Sequence, residues 1–290
     1  MLLILVTSAT EFAQYSEYGF RERSLVEVDQ KPPSFYKVSE SNISALSLVI
    51  PAYNEEKRIR PFLEHLKAEL PEGWEVIVVC DGTDNTANIV RSIDNRFKVM
   101  EFENRLGKGG AIKAGLIAAH GDVLGYVDAD GAISFSEVMK VYGAVNEDTQ
   151  VAVGSRWVRG SRLEKKQPFT RMILGRLYHY FSFALLGLTI KDTQCGVKAF
   201  QADVVKDKLN GVTLRNLSFD TALLYHCQKS GAKIAEIPIV WSDVKGSKVN
   251  PLKTAMVMFL SLLGLKLAHS QSGLKMADII QSVRDIIENA

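Results

Sequence analysis

Five short apolar runs, each followed by a loop rich in Asp, Asn, Gly or Lys, constrain most strongly what this chain can fold into. Leu46 to Ile50, Glu75 to Cys80, Phe97 to Phe102, Val123 to Val127 and Val151 to Val153 read as strands. Between them, Glu56 to Leu70, Asp84 to Ser92, Gly109 to His120 and Ser134 to Val145 carry apolar residues at helical spacing. Ser134 with Glu137 three residues on predicts a capping box for the last helix. This alternation predicts an α/β fold with a mostly parallel, Rossmann-like sheet flanked by helices. In such sheets ligands bind at the carboxyl ends of the strands, where the chemistry-bearing residues of this chain recur.

After Val153 the pattern changes to a basic loop, a long apolar helix, the segment Lys191 to Gly196, a short strand Val197 to Phe200, a helix from Phe219 to Ser230, a strand Lys233 to Trp241 and two C-terminal amphipathic helices. The organisation expected is an N-terminal arm or linker over residues 1–44, a main domain over 45–250 and C-terminal helices over 251–290. Met1 to Val6 is readable as the stub of an anchor. Three cysteines in no CxxC pair indicate neither a disulfide framework nor a zinc site, and a reducing compartment is the natural reading.

Net charge over the 290 residues is only +2, which gives no argument for nucleic acid. Locally it is uneven: from Arg156 to Arg176 there are seven basic residues and one acid, Glu164. Two uncharged apolar segments follow, Leu177 to Ile190 and Thr254 to Leu265, of 14 and 12 residues. Both are shorter than the roughly 20 residues that cross a bilayer. They read as core helices or as helices lying at an interface, and basic residues ahead of Tyr178, Tyr180, Phe181 and Phe183 suit an anionic headgroup layer.

Asp128-Ala129-Asp130 ends a buried strand, where two carboxylates on one side can share a divalent cation with phosphates; otherwise they are two solvated acids in a loop. Asn104 to Ala111 sets glycines and Lys108 at a helix start, a place for an anion or an ordinary flexible helix entry. It is not a Walker A loop, and no GxGxxG is present. Asp81 ends the second strand and Asp84 can cap the next helix. Tyr53 and Glu55 have either a turn role or a ligand role.

Leu48 to Glu56, Val78 to Asp84, Gly107 to Gly110, Asp128 to Gly131, Gly154 to Arg156 and Asp192 to Gly196 together resemble glycosyltransferase family 2, most closely its dolichyl-phosphate β-glucosyltransferase branch. Dolichyl-phosphate mannose synthases are near relatives of that branch. The resemblance runs from about Leu46 to Leu267. It implies a GT-A fold over 45–250, an inverting hexose transfer from a nucleotide sugar to a polyprenyl or dolichyl phosphate, a divalent cation (Mg²⁺ or Mn²⁺) and work at the cytoplasmic face of a membrane. Carried over by motif, Pro51, Tyr53, Glu55 and Asp81 would hold base and ribose. Asp128, Ala129 and Asp130 would meet the diphosphate, with both acids on the metal, and Lys108 and Arg156 would meet anionic groups. Asp130, Arg156 and Asp192 would be catalytic, and Lys245 and Lys248 would close over phosphates.

Two departures bear on the donor. Cys80 stands where many members have the first Asp of a pair, and Ala132 where mannose synthases have a metal-binding Gln. The second points away from GDP-mannose and toward UDP-glucose. A phosphate acceptor is already a nucleophile at neutral pH, so the chemistry calls for cations more than for a base. A soluble or polysaccharide acceptor would instead need one, and Asp192 or Asp220 would have to serve.

Overall fold

The computed structural model describes residues 46–164, 169–242, 244, 251–268, 280, 283 and 287. Its compact units are two, Met1–Gly131 and Ala132–Ala290. The predicted N-terminal arm and most of the second C-terminal helix lie outside the described residues, as do Lys245 and Lys248.

In the first unit the elements alternate as the pattern predicts: β1 (Leu46–Ala52), α1 (Ile59–Glu69), β2 (Trp74–Cys80), α2 (Thr86–Ile93), β3 (Phe97–Glu101), α3 (Gly107–Ala118) and β4 (Val123–Val127). The strands lie in the order β3-β2-β1-β4, with β1 parallel to both β2 and β4 and β2 parallel to β3. Leu48, Val49, Ile50 and Val76 to Val79 are buried without interruption, as in a parallel sheet covered on both faces. Helix α3 comes close enough to β1 that a Cβ on Gly115 would lie 2.3 Å from Val49 Cγ1. Because β2 and β3 step away from β1 on one side and β4 returns on the other, the strand order reverses between β1 and β4. Crevices at such reversals take ligands, and the loops beginning at Tyr53 and Asp128 flank this one.

The second unit holds α4 (Phe135–Tyr142), β5 (Val151–Ser155), β6 (Arg162–Leu163), α5 (Phe169–Leu186), β7 (Val197–Gln201), α6 (Ala202–Leu209), α7 (Phe219–Lys229), β8 (Ile234–Pro238), β9 (Val240–Trp241) and α8 (Pro251–Ala268). Strand β5 pairs antiparallel with β7 and parallel with β8. The two-residue strands β6 and β9 pair in parallel.

Four details differ from the sequence expectation. Ser134 does start α4, but its hydroxyl bonds Ser136 and Glu137 turns to Lys140, so no capping box closes. The single strand expected over Lys233 to Trp241 is two, because β8 runs beside β5 only to its end, where Ile239 N–H still reaches Ser155 O at 3.3 Å, and β9 pairs with β6 instead. The apolar run Leu177 to Ile190 is helical only as far as Leu186, where Gly187 turns to φ +66° and its N–H bonds Phe183 O at 2.8 Å. Helix α6 was not anticipated, since it buries only Val205 and Leu209 and otherwise reads as a charged loop.

Candidate active site

Four strand-end loops of the first unit are tied to one another. Asn54 takes a left-handed conformation (φ +54°) and its side-chain oxygen accepts the N–H groups of Thr83 and Asp84 at 2.9 and 3.2 Å. Gly82 makes this possible, because a Cβ there would sit 2.3 Å from that oxygen. In return, Asp84 accepts the N–H of Glu56 and holds Thr86 at the start of α2, from one residue ahead of the cap position. Pro51, still within β1, pairs with Val79. Tyr53 is exposed, with the Arg105 guanidinium 4.3 Å from its ring centre.

Asp81 is buried, and one carboxylate oxygen accepts the N–H groups of Leu106 and Gly107, both at 2.9 Å. Burial pushes its carboxyl above the ordinary range while those two donors pull it back. It thereby fixes the loop in which Gly107 adopts φ +74° and α3 begins. Cys80 faces inward, and burial pushes its thiol up to about 12, so it is no substitute for an acid.

Lys108, on the first turn of α3, reaches the Asp128 carboxylate at 2.8 and 3.1 Å. Asp130 lies two residues on, beyond buried Ala129. Its charge adds to that of Glu55 in raising the pKa of Arg58, with the Glu55 hydrogen bonds the larger cause. Arg58 grips Glu55 through two contacts of 2.7 and 2.5 Å, so the Glu55 carboxylate is already engaged by a cation. Among the described residues no group of three or more His, Cys, Asp or Glu could hold a metal ion. The Asp128 and Asp130 oxygens are hard donors, and a cation of the Mg²⁺ type binds through one or two carboxylates plus substrate phosphates, so the pair fits such an ion.

In the second unit, Arg156 follows β5 and is locked to Asp192. The fully buried Asp192 carboxylate accepts the backbone N–H of Arg156 at 2.9 Å and its Nε and Nη2 at 2.8 Å each. The guanidinium also lies 5.6 Å from the Trp241 ring centre. Glu236 on β8 accepts the N–H groups of Lys191 and Asp192, each at 3.0 Å. Ala132 is buried, and its carbonyl accepts the N–H of Ser242 at 3.0 Å. Asp220 is buried on Lys198 at 2.8 Å, which also donates to Cys195 O.

The structure therefore brings Pro51, Tyr53, Glu55, Asp81, Lys108, Asp128, Ala129 and Asp130 to one end of the first sheet, and Arg156 and Asp192 together in the second unit. Arg58, Arg105, Asn54, Gly82 and Glu236 were not singled out from sequence. Only Asn54 and Gly82 carried a local signal, as turn formers beside the strands.

The model of a family described as "Glycosyl transferase family 2" matches residues 47–208. The Dolichyl-phosphate beta-glucosyltransferase of Dictyostelium discoideum is 31% identical, over 77% of this chain and 74% of that protein. Its namesake from Saccharomyces cerevisiae is 30% identical, over 98% and 91%. Among solved structures, glucosyl-3-phosphoglycerate synthase from Mycobacterium tuberculosis in complex with Mn²⁺, uridine-diphosphate-glucose and phosphoglyceric acid superposes with a TM-score of 0.58 at 16% identity, over 77% of this chain and 79% of that one.

Proposed function

We propose that this chain, which belongs to glycosyl transferase family 2, transfers glucose with inversion from UDP-glucose to a polyprenyl or dolichyl phosphate. Membership makes it a glycosyltransferase of GT-A fold. The observation that carries the acceptor is the engagement of both candidate bases. Asp192 gives its contacts to Arg156, and Asp220 is buried on Lys198. An acceptor with a hydroxyl nucleophile needs a base. A phosphate monoester, with a second pKa near 6, does not. The names of the relatives support glucose and dolichyl phosphate over mannose and over a soluble acceptor.

In this reading Asp81, by taking the N–H groups of Leu106 and Gly107, sets the 104–107 loop so that the Lys108 ammonium and the positive end of the α3 dipole meet the diphosphate. Pro51, Tyr53 and Glu55 line the base and ribose end, where Tyr53 offers a flat face. Asp128 and Asp130 hold Mg²⁺ or Mn²⁺, with Ala129 between them against the diphosphate. That ion supplies Lewis-acid neutralisation of the leaving group. Arg156 meets an anionic oxygen of donor or acceptor, oriented by Asp192, and Lys245 and Lys248 add cations. Residues 45–250 form the catalytic domain. Offered UDP-glucose and GDP-mannose with a short polyprenyl phosphate, the enzyme is expected to make a glycolipid from UDP-glucose and to stop when EDTA is added. A product from GDP-mannose alone, or chelator-insensitive transfer, overturns the donor or the metal assignment respectively.

The acceptor's tail places the enzyme at a membrane surface, at the cytoplasmic face in our reading. No helix among the described residues is long and apolar enough to cross a membrane. What supports surface binding is α5, which exposes Ile173, Leu177, Tyr180 and Phe183 beside Arg176, with Phe259 of α8 packed edge-on to Phe181 at 4.9 Å. The protein is expected to sediment with anionic liposomes at low salt and to release as salt rises. Equal recovery in the supernatant with and without liposomes excludes this mode.

A further inference from the structure

We infer that Glu236 is a positioning residue that sets Arg156 through Asp192. The inference rests on reading Arg156 as the group that meets a substrate anion. Parallel pairing puts Glu236 of β8 opposite Val153 of β5, three residues before Arg156. From there its two carboxylate oxygens divide between two successive backbone donors. Oε2 accepts the N–H of Lys191 and Oε1 that of Asp192, both at 3.0 Å. Asp192 in turn presents Oδ2 to the Arg156 backbone N–H and Nε, and Oδ1 to Nη2.

Each stage of this chain limits the next. A carboxylate that accepts two adjacent N–H groups fixes the orientation of that dipeptide, and so the direction in which the Asp192 side chain leaves it. A carboxylate that takes both the backbone and the side chain of one arginine fixes that arginine's rotamer, because the fork admits one planar alignment. Of the three residues, Asp192 is fully buried, Arg156 is largely so, and Glu236 is only half-buried. The half-buried end of the chain is therefore a strand residue that touches neither the guanidinium nor, in this reading, any substrate. Glutamine in its place offers one acceptor oxygen and turns an NH₂ group toward the second N–H, so one contact is lost and a donor faces a donor.

The test is a double-mutant cycle on transfer rate. Glu236→Gln is expected to lower kcat by about tenfold in the wild-type background, as for one lost charge-assisted contact. In an Arg156→Ala background the same change is expected to have no further effect, because the group it positions is gone. Losses that multiply, or an unaffected E236Q single variant, overturn the inference. An R156A enzyme that transfers at the wild-type rate overturns the reading of Arg156 beneath it, which distinguishes the two failures. Should E236Q melt well below the wild type, E236D, which keeps the charge but is one methylene too short to reach both donors, carries the same cycle with the same expectations.

Discussion

Asp130→Ala should lower glucose transfer by about 10³-fold, the scale of losing one preorganised electrostatic contact to a developing charge. Asp130 lies in a half-exposed turn after β4, and the Arg58 charge nearby is held independently by Glu55. Removing the Asp130 carboxylate leaves the two Glu55 contacts to Arg58 in place, and a partly exposed charge contributes only about 0–1 kcal/mol to stability. A large loss of rate with an unchanged melting temperature would locate the effect in chemistry rather than folding. Asp128→Ala makes a useful companion, because it also removes the partner of Lys108. Measured with saturating donor and a polyprenyl phosphate acceptor, a D130A rate within tenfold of wild type would take Asp130 out of the site.

Local order in this chain was legible where the signal was local. The runs around Val49, Val78 and Tyr126 are continuous apolar stretches because both faces of a parallel sheet are covered, and periodicity alone locates them within a residue or two. The loops after them could be read as ligand loops because strand polarity puts them at one end. What could not be read were pairings made across the sequence. Asp192 finds Arg156 from 36 residues away, and Glu236 finds Asp192 from 44. Each side chain is ordinary in its own segment, and only the β5–β8 register makes it specific. Glu55 illustrates the converse. Its place in the Pro51 to Glu56 motif suggests a ligand, while a partner three residues along its own chain, Arg58, already occupies its carboxylate. The break between β8 and β9 is likewise made across the sequence, by β5 ending at Ser155, opposite Pro238, and by β9 pairing with β6.

The second large effect belongs to Lys198, which connects the core to the site. It is fully buried, with Nζ 2.8 Å from Asp220 Oδ1 and 2.8 Å from Cys195 O. Removing one member of a buried ion pair strands the other charge, at a cost of about 3–5 kcal/mol. Lys198→Ala should accordingly lower the melting temperature by about 10 °C. Replacing both charges, with Lys198→Met and Asp220→Leu together, leaves no stranded ion and should recover most of that loss. Stability and activity are expected to part at this point. The lysine's second bond holds the carbonyl of Cys195, in the same turn as Asp192, whose own carbonyl accepts the Cys195 N–H at 3.5 Å. Methionine cannot make that bond, so the double variant should regain its melting temperature while transferring more slowly than wild type. Recovery of both would mean that Lys198 serves the core alone, and recovery of neither would mean that the pair itself, not the uncompensated charge, holds this part of the fold.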